Sequence, residues 1–225
     1  MNANRTIATS AGILFIIAAV ASIIGVTLYT PILNNPNYII DTDIDHTQIK
    51  WGAFFEIITV LAVIGTSITL YPVLRKYNET MAIGTVCFRL LEATLITIGI
   101  LCLLSIVTIN QGFAKGLASD TSSLLIAGKL LLVVHDWTFL FGPNFLLGPS
   151  TLITSYILFK MKLVPRFISV LGLLGGPLIF ICAVLVLFGF FLQISVWGAL
   201  FAIPVFCYEM SLAIWLIVKG FNSAI

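Results

Sequence analysis

Arg89, Glu92 and Glu209 lie deep inside apolar runs of this sequence. A charge near the centre of a bilayer costs about 2.5–3.5 kcal/mol on insertion scales, so a chain that keeps three such groups puts them to use. Two kinds of chemistry are open to them. A guanidinium and carboxylates can pair across helices and fix their packing. The same groups can hold the polar end of a ligand or handle a proton. Arg89 and Glu92 are spaced i,i+3 and share one helical face. Counted along the helices from one end of the bundle, Arg89 and Glu209 reach a similar depth of roughly 12–14 Å, so they are expected to meet. Glu56 enters from the opposite end, and Thr59 and Thr66 extend its face into a polar stripe. Three carboxylates then stand against one guanidinium. A surplus carboxyl facing a dry interior is expected to be protonated, which is a basis for proton-linked function.

A secondary polar group is formed by Lys129, His135 and Asp136. A His beside an Asp can act as a base with its orienter, but neighbours in sequence point away from each other on a helix. The reading favoured here is a polar face of an interfacial helix, anchored by Lys129 and Trp137. Asp41, Asp43 and Asp45 are spaced like the start of a calcium loop, yet His46 stands where such a loop needs Gly, and its twelfth position is Gly52 rather than Glu. No metal site is implied. Cys87, Cys102, Cys182 and Cys207 contain no C-x-x-C and read as small apolar residues. No G-x-S-x-G, H-E-x-x-H or phosphate-binding loop occurs, and no cofactor is implied. Gly172 and Gly176 form a G-x-x-x-G, the usual mark of close helix packing.

The elements that must position these residues are membrane spans. Of 225 residues, 60% are hydrophobic and 9% charged, against about 25% charged in a water-exposed domain. Lipid is therefore the solvent, and the bilayer is the expected partner. The net charge of +2 and the lack of a basic patch argue against nucleic acid. The first apolar run, about Ile7 to Tyr29, is long enough to span and reads as a span rather than a cleaved signal. Pro31 is expected to stop it. A polar loop from Asn34 to Lys50 leads to a span from about Trp51 to Leu74, with Asp45 and Gln48 as its expected cap. The next span runs from about Met81 to Ile109, followed by a loop from Asn110 to Ser119. Asp120 to Ser123 offers a cap. Beyond it the Gly142-Pro143 and Gly148-Pro149 pairs are expected to break the helical pattern. Two further spans are read at about Pro165–Leu192, with a kink at Gly176-Pro177, and Ser195–Val218.

Charge distribution chooses between six and seven spans. With six, Arg5, Arg75, Lys76, Lys160, Lys162, Arg166 and Lys219 share one side, as the positive-inside rule demands of the cytoplasm. With seven, Arg5, Arg75 and Lys76 fall on the wrong side. In the six-span reading, Ser122 to about Trp137 is an interfacial or re-entrant helix before the fourth span. Trp51, Trp137 and Trp197 then lie at the outer interface.

At these same residues the sequence resembles the bacterial multi-pass membrane proteins grouped as domain of unknown function 4386. The likeness is carried by Leu70-Tyr71-Pro72-Val73-Leu74 with Asn78-Glu79, by Phe88-Arg89-x-x-Glu92 and by Asp136-Trp137. Further on it is carried by Leu163-Val164-Pro165-Arg166 and by the stretch from Glu209 to Gly220. It extends from Arg5 to Gly220, and departs from the family's smoother helix between Gly142 and Pro149. It implies an integral membrane protein and no particular activity.

The expected fold is all-α: one polytopic bundle of six spans, with seven as the alternative, forming a single domain over 1–225. It is expected in the cell membrane with both termini cytoplasmic. The leading functional expectation is a binding or conducting role at Arg89, Glu92, Glu209 and Glu56, for a small polar or amphiphilic ligand or a proton. It requires a pocket that reaches those residues. The alternatives are a structural or partner-binding protein whose charges only clamp helices, and an intramembrane enzyme using a Glu as acid or base. The oligomeric state is not legible.

Overall fold

The computed structural model describes residues 3–35, 37–41, 46–116 and 120–222. Within these, α1 (Ala3–Leu28) is followed by the short α2 (Thr30–Leu33) and a 3₁₀ turn at Tyr38–Ile40. Then come α3 (Thr47–Leu74), α4 (Glu79–Ala114), α5 (Thr121–Leu140), a π-helical turn at Phe141–Leu146, α6 (Leu147–Lys160), α7 (Arg166–Leu187) and α8 (Val196–Val218). Six helical stretches are long and apolar enough to cross a membrane, α5 and α6 counting as one of 40 residues.

Local chemistry explains most boundaries. The Asn78 side chain accepts from the Met81 N–H at 2.9 Å, so α4 starts two residues before its apolar run. Asp120 caps α5 as expected, accepting from the N–H groups of Ser122 and Ser123. The hydroxyl of Ser123 also donates to it, and these bonds hold the Asp120 carboxyl below its ordinary pKa. Helix α7 stops at Leu187, short of the expected Leu192. Gly189, at φ 78°, takes the left-handed position that closes a helix: Gly189 N–H reaches the Val186 carbonyl and Phe190 N–H that of Leu185. Pro165 precedes the first residue of α7 rather than occupying it. Asp45, expected to cap α3, and Asp43 lie outside the described residues.

Two expectations are corrected. The Gly-Pro pairs do not break the helix. The chain absorbs Pro143 by widening into the π turn, and Pro149 lies just beyond that turn within the same continuous rod. Gly148 instead permits a close crossing, since a Cβ there would stand 2.8 Å from the Gly176 carbonyl oxygen on α7. Asn110 is not a loop residue either. It is buried in α4 and donates to the Tyr38 and Asp41 carbonyls at 2.8 and 2.7 Å. It thereby pins the segment between α2 and α3, because an unpaired amide buried there would cost more than the loop's freedom is worth.

The helix expected ahead of the fourth crossing is present as α5, and it runs into α6 without a loop. Together they extend about 60 Å, twice the hydrocarbon thickness. Counted along their helices from the end that holds α1's first residue, the exposed Trp51, Trp137 and Trp197 stand at about 35, 35 and 32 Å. That common level fits an aromatic belt, and the α4–α5 hairpin projects beyond it. At the opposite end Arg5 donates to the Ile217 and Val218 carbonyls at 2.5 and 3.2 Å, covering the last carbonyls of α8. Beside it α1 and α8 touch closely, as a Cβ on Gly12 would stand 2.7 Å from the Ala213 carbonyl oxygen.

Candidate functional site

Helices α4, α6 and α8 converge on one guanidinium. Arg89, only 7% exposed, donates from Nη2 to Glu209 Oε1 at 2.7 Å and from Nη1 to Glu92 Oε2 at 3.3 Å. Its Nε donates to Ser150 Oγ at 3.1 Å. The guanidinium carbon lies 6.0 Å from the centre of the Phe15 ring on α1. Burial of such a charge is tolerable only because each nitrogen finds an acceptor. Among the described residues neither Glu92 Oε1 nor Glu209 Oε2 receives a hydrogen bond. Ser150 is the member that reasoning from sequence missed. The sequence offered only the hydroxyl run Ser150, Thr151, Thr154 and Ser155, which marks one polar face of α6 but names no partner.

A cavity of about 430 Å³ opens against this cluster. Its lining includes Arg89, Glu92, Glu209 and Glu56, so the four expected site residues share one space. The rest of the wall is mainly apolar: Phe15, Ala18, Ala19, Ile23 and Val26 of α1 face Phe139, Pro143 and Leu147 across it. The π turn therefore contributes Pro143 to the wall. The wall is completed by Thr59, Val63 and Thr66 of α3 and Ile96 of α4, with Glu209 as the α8 residue.

Glu56 belongs to the cavity but not to the ion-paired cluster. Along its helix it stands about 27 Å from the end where Arg89 stands at about 15 Å. Its carboxyl presses on α1, since a Cβ on Gly25 would stand 2.7 Å from Oε1. Oε1 is buried without a hydrogen-bond partner among the described residues. A second cavity of about 230 Å³ shares Val26, Glu56 and Phe139 with the first and adds Tyr29, Asn34, His135 and Asp136. The two spaces together run from the polar end of α5 to the Arg89 floor.

The secondary group is only partly assembled. His135 Nδ1 and Asp136 Oδ1 approach to 3.3 Å, contrary to the expectation that adjacent helical side chains stay apart. The His135 ring is held toward its neighbour by stacking on Phe139 and by Tyr29 standing edge-on, 6.2 and 6.4 Å between centres. Lys129 is exposed and lines neither cavity. Among the described residues no three His, Cys, Asp or Glu side chains gather as a metal would need. The four cysteines are free.

A family profile described as domain of unknown function (DUF4386) matches residues 10–220. The chain belongs to this family. No curated protein and no solved structure matches it. The structure gives the DUF4386 resemblance a spatial sense. Arg89 and Glu92 of one motif meet Glu209 of another. Asn78 caps α4, and Asp136 lines the second cavity. This DUF4386 protein is a helical, multi-pass membrane protein.

Proposed function

We propose that this protein binds a small amphiphilic molecule within the bilayer, its apolar part in the cleft beside α1 and its polar part on the buried charges. One observation carries the reading: Arg89, Glu92, Glu209 and Glu56 all line a single cavity of about 430 Å³ whose remaining wall is mainly apolar. A clamp alone needs no such space, and neither does a proton. Pockets for small molecules have this make-up, apolar walls with a few placed polar groups. The positive-inside pattern supports a cell-membrane location with both termini cytoplasmic, and a reporter fused after Lys162 should then read as cytoplasmic.

The binding test uses purified protein in lipid nanodiscs and three radiolabelled twelve-carbon probes: an alcohol, an amine and a carboxylic acid. At least one should bind saturably at one per chain, and Ala19→Trp, which fills the cleft, should abolish that binding. Absence of saturable binding by all three probes rejects the reading.

A further inference from the structure

Carboxyl groups outnumber the cationic groups in the cleft by three to one. The wall's hydroxyls already donate within their own helices: Ser22 to the Ala19 carbonyl, Thr27 to Ile23, Thr59 to Phe55 and Thr66 to Val63. Each guanidinium nitrogen of Arg89 donates once to a protein group, which uses three of its five N–H. The wall's remaining polar groups are carboxyls: Glu92 and Glu209 each have one oxygen without a hydrogen bond among the described residues, and Glu56 lines both cavities. Arg89 pairs with Glu92 and Glu209, so Glu56 is the carboxyl left without a cation, and an ammonium beside it would favour its ionised form.

Two unsatisfied polar atoms locate where that charge would sit. Glu56 Oε1 and the Tyr29 hydroxyl are both buried without partners among the described residues. Tyr29 is 3% exposed, yet it lines the second cavity together with Glu56. It stands one turn beyond Gly25, the residue on which the Glu56 carboxyl rests. Thr151, Ser169, Tyr208 and Trp215 also carry buried polar atoms without partners among the described residues, but of the six only Glu56 and Tyr29 line the second cavity, where a ligand could meet them. A group with several N–H donors and a positive charge can serve both atoms; a carboxylate could accept from the Tyr29 hydroxyl but would be repelled by an ionised Glu56.

Resting on the amphiphile-binding reading above, we propose that the site selects alkyl amines. The ammonium sits between Glu56 and Tyr29, one of the buried charges and its neighbour, and the chain lies along the apolar side of α1 formed by Ala18, Ala19, Ile23 and Val26. The charge-assisted bond to Glu56 supplies the preference, and the apolar wall supplies a term common to any chain of equal length.

The test compares dodecylamine, dodecanol and dodecanoic acid on the intact protein in nanodiscs of zwitterionic lipid. Dodecylamine should bind at least about tenfold more tightly than the other two. Glu56→Gln, which keeps the shape, should remove that preference without removing dodecanol binding, and Tyr29→Phe should reduce it. If dodecanol or dodecanoic acid binds as tightly as the amine, and Ala19→Trp still abolishes binding, selection of amines is refuted while the cleft remains a binding site. If the preference survives Glu56→Gln but disappears in Glu209→Gln, the assignment to Glu56 is overturned. If no probe binds saturably, both readings fall together.

Discussion

Arg89 Nη2 stands 2.7 Å from Glu209 Oε1, joining positions 120 residues apart in the chain. The bond ties α4 to α8, and the Nε bond to Ser150 ties both to α6. Removing the guanidinium leaves Glu92 and Glu209 buried side by side. Arg89→Ala should therefore cost about 3–5 kcal/mol and reduce the yield of monodisperse protein. Arg89→Lys should rescue little, because an ammonium cannot reproduce three contacts in the plane of a fork. Glu209→Gln keeps an acceptor for Nη2 and should be milder than either. Residual monodisperse protein after graded heating ranks the three variants. Equal stability of Arg89→Ala and the parent would remove the guanidinium from any structural role.

Helix contact through glycine makes a paired prediction. A Cβ at Gly172 would stand 2.6 Å from the Tyr208 ring and 2.7 Å from Ser155 Cβ, whereas one at Gly112 meets nothing within 4 Å. Gly172→Ala forces α6, α7 and α8 apart and should cost about 1–3 kcal/mol. Gly112→Ala adds a methyl group in open space on a helix and should stabilise by about 0.5–1 kcal/mol. Unfolding midpoints of the two variants should move in opposite directions. Movement in the same direction would show that α7 does not need its close approach.

Why some of this was readable in sequence and some was not has a physical basis. Long apolar runs announce spans because nothing else can be placed in hydrocarbon. Arg89 and Glu209 announced each other because an unpaired charge there is too costly to keep, and residue counting set them at one depth. Ser150 gave no such signal: a hydroxyl in a helix can bond its own backbone, so its presence implies no partner. Asn110 was misread because a polar residue at the end of an apolar run looks like the start of a loop; its two carbonyl partners come from a segment about 70 positions away. Gly142-Pro143 was misread as a break because a π turn cannot be told from a helix end by composition. The cavity itself is enclosed by residues from α1, α3, α4, α5, the π turn, α6 and α8, a matter of packing that no single residue encodes.

The Asn110 contacts lead to a local test. Asn110→Leu preserves volume but leaves the Tyr38 and Asp41 carbonyls without their amide donor, at a cost of about 1–3 kcal/mol. The loss should be confined to the cap between α2 and α3. Amide hydrogen exchange should rise between Tyr38 and Asp41, with the middle of α4 around Arg89 unchanged. Unchanged exchange at those amides would mean the cap is held by its apolar contacts alone, through Tyr38 and Ile39 on Leu103 and Ile106.

The π turn at Phe141–Leu146 sets the rotation between the two halves of the α5–α6 rod. A π turn accommodates one residue more than an α-helix would, so it rotates the helix before it by about 100° relative to the helix after it. Both halves carry contacts that depend on this rotation. Above the turn, Thr138 sits on Gly99, where a Cβ would stand 2.9 Å from its hydroxyl oxygen; below it, Ser150 meets Arg89. Deleting Asn144 lets the rod become α-helical throughout, and one of these contacts then has to be lost. The unfolding midpoint should fall by several degrees, at about 2–4 °C per kcal/mol for a chain of this size. Asn144→Ala, which keeps the residue count, should change it little. If the deletion is as stable as the substitution, the rod's two halves are not locked in register and the π turn is an incidental response to Pro143.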